Sequence, residues 1–170
     1  MAIKGILPEK DWPVEGIVDT GIVVISHFDN PAKDEALEFV ADVLGLKRKC
    51  LIPTSAFLGA YHIMTEYLGV DRVPACRALS KSLRIGSPAL HQDIPIEITE
   101  ESLAYASGYG IESWDGYLVS LAKAYGASVI YTIDKEMGRK VKDLAITNPL
   151  SGDTFREYNA WIERRLRGKR

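Results

Sequence analysis

The sequence predicts an α/β protein, a three-layer α/β/α sandwich around a mainly parallel central sheet. Short apolar runs of strand length, such as "GIVDT", "KCLIP", "SVIYTID" and "LAITNP", recur along the chain. Helical patterns of about ten to fifteen residues or more separate them, and connections of that length are crossovers, which join parallel strands. With 170 residues, 46% of them hydrophobic, the chain can bury one sizeable core, and no repeat or low-complexity tract divides it.

Taken in order, residues 1–15 mix Gly5, Pro8 and Pro13 with few periodic apolar positions and read as an extended N-terminal arm. The domain proper spans 16–149. "GIVDT" ends in Asp19, and "GIVVISHF" stays apolar up to Asn30 and Pro31, a start signal for the helix "PAKDEALEFVADVLGL". Ala36, Leu37, Val40, Val43 and Leu44 give that helix one buried stripe. "KCLIP" is the second strand, followed by Thr54 or Ser55 as cap for the helix "AFLGAYHIMTEYL". A helix "RVPACRALSKSLRI" ends before Gly86 and Pro88, and "DIPIEI" alternates like a strand, with Pro95 placing it at an edge. Thr99 caps a helix through "EESLAYASGY", and "SWDGYLVSLAKAYG" follows, stopped by Gly126. The strand "SVIYTID", a short helix "KEMGRKV" and the strand "LAITNP" complete the domain. Residues 150–170 read as a terminal amphipathic helix with a basic end.

A net charge near −2 argues against a protein that coats nucleic acid through overall charge. The apolar runs fall far short of the roughly 20 residues a membrane span needs, and a cytoplasmic protein without membrane contact is expected. Cys50 and Cys76 stand alone, which predicts buried thiols rather than a disulfide or zinc site; His27, His62 and His91 form no ligand pair.

The informative residues are acids at element ends. In a parallel sheet every strand's carboxyl end opens onto one rim, where ligands bind. Asp19 and Asp134 close strand patterns, and Asp115 lies in the first turn of the helix that leads back into the Asp134 strand, so its N-terminus reaches the same rim. On a helical wheel Trp114, Tyr117, Leu118, Leu121 and Tyr125 form the buried stripe and Asp115 lies about 60° from Leu118, bordering the core. Gly116 beside it permits close backbone approach. Carboxylates gathered at a half-buried spot repel by something on the order of several kcal/mol unless a cation neutralises them. Oxygen ligands without thiolate or imidazole favour Mg2+ or Mn2+. Each acid alone has a plainer explanation: Asp134 as an N-cap, Asp115 in a favourable helix dipole, Asp19 as a turn former. Their joint placement on one rim favours the metal.

On "VDTGIVV", on "SWDGYLVSLAKAYGASVIYTID" and on the helix and strand order between them, the sequence resembles the PIN-domain family, the fold of VapC-like toxin ribonucleases, from about Gly16 to Pro149. The resemblance implies an Mg2+- or Mn2+-dependent endoribonuclease whose metal is held by Asp19, Asp115 and Asp134, with Thr20 and Thr132 supporting. It implies products ending in 5′-phosphate and 3′-hydroxyl. It also implies RNA as substrate, a homodimer, and an antitoxin protein as partner, with "AFLGAYHIMTEYL" and "RVPACRALSKSL" as candidate contact surface. Lys135, Arg139 and Arg84 are candidates to grip flanking phosphates. The family's further glutamate has no counterpart, because the register puts Gly59 in its place. Glu66, two turns further along and about 10 Å away by helical rise, is remote, and Glu112, three residues before Asp115, is the closer replacement. The alternative is therefore a weak or inactive PIN domain that binds RNA or protein. A different phosphotransfer enzyme of the same fold class is a third reading, although no phosphate-cradling glycine loop is present.

Overall fold

The computed structural model describes residues 12–167. Most of the N-terminal arm and the last part of the basic tail, including Lys169 and Arg170, lie outside the described residues. Five strands form one parallel sheet in the order β3-β2-β1-β4-β5: β1 (Gly16–Val18), β2 (Cys50–Pro53), β3 (Leu90–His91), β4 (Val129–Tyr131) and β5 (Ala145–Thr147). The helices are α1 (Thr20–Ser26), α2 (Lys33–Leu44), α3 (Ser55–His62), α4 (Arg72–Leu83), α5 (Ile96–Tyr109), α6 (Ser113–Tyr125), α7 (Lys135–Lys140) and α8 (Gly152–Arg167), with one π turn, Ile63–Tyr67, prolonging α3.

Because side chains alternate along a strand, the sheet divides the core in two. Val18, Cys50 and Ile52 face one way, into a cluster with α1, α2, α3 and α4; Tyr158 of α8 joins it, and Trp161 packs 5.7 Å from Phe28. Ile17, Leu51 and Ile130 face the other way, against Tyr117, Leu118 and Leu121 of α6 and Met137 of α7, with Ile98 and Tyr105 of α5 at the margin. This is the expected sandwich, with the C-terminal helix packed into the first layer rather than appended.

Several sequence expectations require correction. "DIPIEI" is not a strand: β3 is the two residues before it, and Pro95 is the N-cap of α5, which begins at Ile96. Pro95 supplies no N–H, a loss that costs nothing at a helix start, where the first amides have no partner anyway. Thr99 consequently lies inside that helix and bonds the Pro95 carbonyl. Leu37 is 40% exposed, about 100° round the helix from buried Ala36 and so at the flank of the stripe. Trp114 is 61% exposed, and Cys76 is exposed while Cys50 is buried. Of the proposed contact surface, Phe57, Met64, Ala75 and Leu79 are core, whereas Leu58, Tyr67, Val73 and Leu83 are exposed. Among the described residues no helix is long and apolar enough to cross a membrane.

Two glycines shape the second layer. Gly126 ends α6 in the left-handed conformation at φ 67°. Gly116 lets α5 and α6 touch backbone to backbone: a Cβ there would stand 2.2 Å from the Ser102 carbonyl oxygen and 3.0 Å from Ala106. Gly116→Ala is expected to lower unfolding free energy by about 1–3 kcal/mol or more, read from urea denaturation, because backbone must separate to admit the methyl. An unchanged midpoint would show that the two helices are not held this close.

Candidate functional site

The strand order reverses at β1. The chain builds outward from β1 to β2 and β3, then returns to pair β4 along the other side of β1. Helix α1 after β1 enters one layer, and α7 after β4 enters the other. The two connections diverge at adjacent strand ends and leave a crevice at the carboxyl edge of the sheet, the usual place for ligands in open α/β folds. A cleft of about 930 Å³ lies there.

Each predicted acid reaches it by its own local logic. The Asp19 amide donates to the Tyr131 carbonyl (2.9 Å), fixing the end of β1 against β4, and Asp19 then caps α1, its Oδ1 accepting from the Thr20 N–H at 2.6 Å. Oδ2 accepts from the buried Thr132 hydroxyl at 2.7 Å, and the Asp134 amide donates to that same hydroxyl oxygen at 3.0 Å. Asp134 caps α7 by accepting the Glu136 N–H at 2.7 Å. Asp115 is the third residue of α6, and its carboxylate accepts the backbone N–H of the capping residue Glu112, half of a capping box. Thus the plain capping roles and the shared rim hold together: Asp19, Asp115, Asp134 and Glu112 all line the cleft, as does Thr20, while Thr132 lies beneath.

The acids are close enough to feel one another. Burial, then repulsion from Asp19, Asp134 and Glu112, pushes Asp115 up to about 6. Burial also raises Asp19, against the lowering effect of the Thr132, Thr20 and Gly21 hydrogen bonds, with Asp134 adding repulsion. Even so, among the described residues no three His, Cys, Asp or Glu side chains stand together as a ready-made metal cage.

Gly59 lines the cleft and Glu66 does not; a Cβ at Gly59 would lie 3.1 Å from the Thr20 methyl, and Glu66 pairs instead with Arg72. Lys135, Arg139 and Arg84 are not in the lining, and Lys135 sits over the Phe155 ring. Among the described residues the lining carries Lys140, which bonds Glu136 (2.8 Å) and the Gly110 carbonyl (2.6 Å) and ties α7 to the loop ahead of α6. Sequence reading also missed Leu58, Ile111, Trp114, Glu136 and Met137 in the lining. The Glu136/Lys140 spacing of four was the one available signal for the lysine.

No family model matches the chain, and no curated protein matches it. Among solved structures it is similar to the crystal structure of PAE2754 from Pyrobaculum aerophilum, at 20% identity and a TM-score of 0.58, over 97% of this chain and 98% of that one. At that identity the likeness establishes the α/β fold.

The electrostatic strain has a measurable sign. An unfolded Asp115 ionises near 3.8 and the folded one near 6, so the folded state holds the extra proton between these values and loses stability as pH rises through them. Above about pH 6 the loss is complete, on the order of 1–2 kcal/mol once solvent screening at this half-buried group is allowed for. In metal-free buffer Asp115→Asn should therefore raise the melting temperature at pH 7.5 and have little effect at pH 4. A variant less stable than wild type at pH 7.5 would contradict the repulsion.

Proposed function

We propose that the protein is an Mg2+- or Mn2+-dependent ribonuclease of the PIN type that hydrolyses phosphodiester bonds of RNA. The carrying observation is that Asp19, Asp115 and Asp134, from three separate stretches of chain, meet at one cleft where the sheet order reverses, where burial and then the neighbouring carboxylates raise the proton affinity of Asp19 and Asp115. The PIN-like motifs around these aspartates support the same reading, as does the all-oxygen donor set. Magnesium keeps several waters and needs only one or two direct carboxylates, so the open arrangement of the acids fits such an ion without a closed cage.

Asp19, Asp115 and Asp134 would hold the ion, with Glu112 the fourth acid of the set. When bound, such an ion supplies positive charge opposite the scissile phosphate and acidifies water for attack. The chain's own part is placement. Thr132 and the Thr20 amide fix both oxygens of Asp19, the Glu112 amide orients Asp115, and the Glu136 amide orients Asp134. Leu58, Ile63, Ile111 and Met137 give the cleft lining its apolar part. The exposed Leu58, Tyr67, Val73 and Leu83 offer apolar surface for the proposed self-association or antitoxin contact.

A second reading is an inactive RNA- or protein-binding module, and one observation favours it: Gly59 lines the cleft where the family carries an acid, and Glu66 does not replace it. Incubation of a labelled RNA with Mn2+ separates the two. Cleavage by wild type should stop with EDTA and fall at least about 100-fold in Asp115→Asn, a loss typical of removing one electrostatic element of a site. Retention of RNA without cleavage would favour the binding module, and equal, metal-independent degradation by both proteins would sink the nuclease.

A further inference from the structure

Trp114 precedes Asp115 in the first turn of α6 and lines the cleft, yet 61% of its surface meets solvent. Among the described residues its ring contact is Tyr117, at 6.1 Å between centroids and 84° between planes. That edge-to-face pair steadies the indole, while an exposure of this size leaves ring surface open. Leu58, beside the same cleft, is 77% exposed, so the acidic wall has an apolar shelf next to it.

Charge narrows what the shelf can hold. Asp19, Glu112, Asp115, Asp134 and Glu136 face Lys140 as the lining's only lysine or arginine among the described residues, and Lys140 is already paired. A nucleic acid cannot gain its affinity here from phosphate contacts alone. The part of a nucleotide that is neutral, flat and apolar is its base, and an open aromatic ring takes a base by stacking, with little regard to which base it is.

We infer that Trp114 is a stacking platform for an unpaired nucleobase of the substrate strand; the inference rests on the ribonuclease reading of this cleft and names how that substrate is held. Trp114 holds the strand in the cleft by that stacking, contributes binding alike before and during reaction, and takes no part in bond breaking. A base already paired and stacked in a duplex cannot use it, so the site selects single-stranded segments.

The test compares wild type, Trp114→Ala and Trp114→Phe with two probes: fluorescein-labelled single-stranded hexauridylate, and an abasic ribose-phosphate strand of equal length. Binding is read by anisotropy with Ca2+ as the divalent ion, cleavage of hexauridylate with Mn2+, and folding by thermal melts. Trp114→Ala should bind hexauridylate about 5- to 150-fold more weakly, the span expected for one stacked base. Trp114→Phe should keep most of the affinity but lose the quenching of indole fluorescence, and all three proteins should bind the abasic strand alike. In cleavage the alanine variant should show a raised KM with kcat little changed. Because the indole is mostly exposed, the melts should coincide. Equal hexauridylate affinity for wild type and Trp114→Ala, an equal loss on the abasic strand, or no binding of hexauridylate by wild type would each overturn the inference. Trp114-dependent binding without Mn2+-dependent cleavage would leave stacking standing and remove the ribonuclease. Cleavage indifferent to Trp114 would do the reverse.

Discussion

The pairing of β1 with β4 is the constraint on which the site depends, because it brings Asp19 and Asp134 together across 115 positions of sequence. The register Val18↔Tyr131 puts both strand ends level, and the bond from the Asp19 amide to the Tyr131 carbonyl carries the pairing one residue beyond β1. Thr132 then spans the gap with one hydroxyl, donating to Asp19 and accepting from the Asp134 amide. A one-residue slip would turn Thr132 to the opposite face and separate the pair. The divergence of α1 and α7 into different layers opens the crevice above this junction.

What gathers there works against stability. Capping alone would be served by any of these aspartates in isolation and well solvated, whereas here burial, then repulsion from the neighbouring acids, pushes Asp115 up to about 6. One residue along from Asp115, Gly116 admits the Ser102 carbonyl against α6, so α5 packs backbone to backbone on the start of that helix. Departures from local ease in an otherwise consistent sequence are expected at functional or strained sites. The proposed ribonuclease supplies the reason: repulsion that a divalent ion relieves.

Most of the architecture was legible because each strand is short, apolar and followed by a helix with a recognisable stop, Gly126 being the plainest. The acids were legible for the same reason: Asp19 and Asp134 sit at the strand-to-helix steps that any parallel sheet turns toward one rim. "DIPIEI" misled because alternation over six residues describes the entrance to a helix as well as a strand, and the true β3 has only two residues with no periodicity to read. Trp114 misled because a helical wheel assumes that the core runs the full length of the helix. In the first turn of α6 Trp114 instead lines the cleft, 61% exposed, with the Tyr117 ring beside it. The strand order that makes β1 and β4 neighbours was not readable at all, since pairing between strands is settled by contacts far apart in the chain.

Soaking crystals of the protein in Mn2+ and measuring anomalous scattering tests most directly whether the gathered acids hold a cation. The account predicts a peak among the carboxylates of Asp19, Asp115 and Asp134, with oxygens at about 2.0–2.2 Å, as suits a hard divalent ion with oxygen ligands. At saturating Mn2+, a cleft without anomalous density, or a peak bound only elsewhere on the surface, would contradict it.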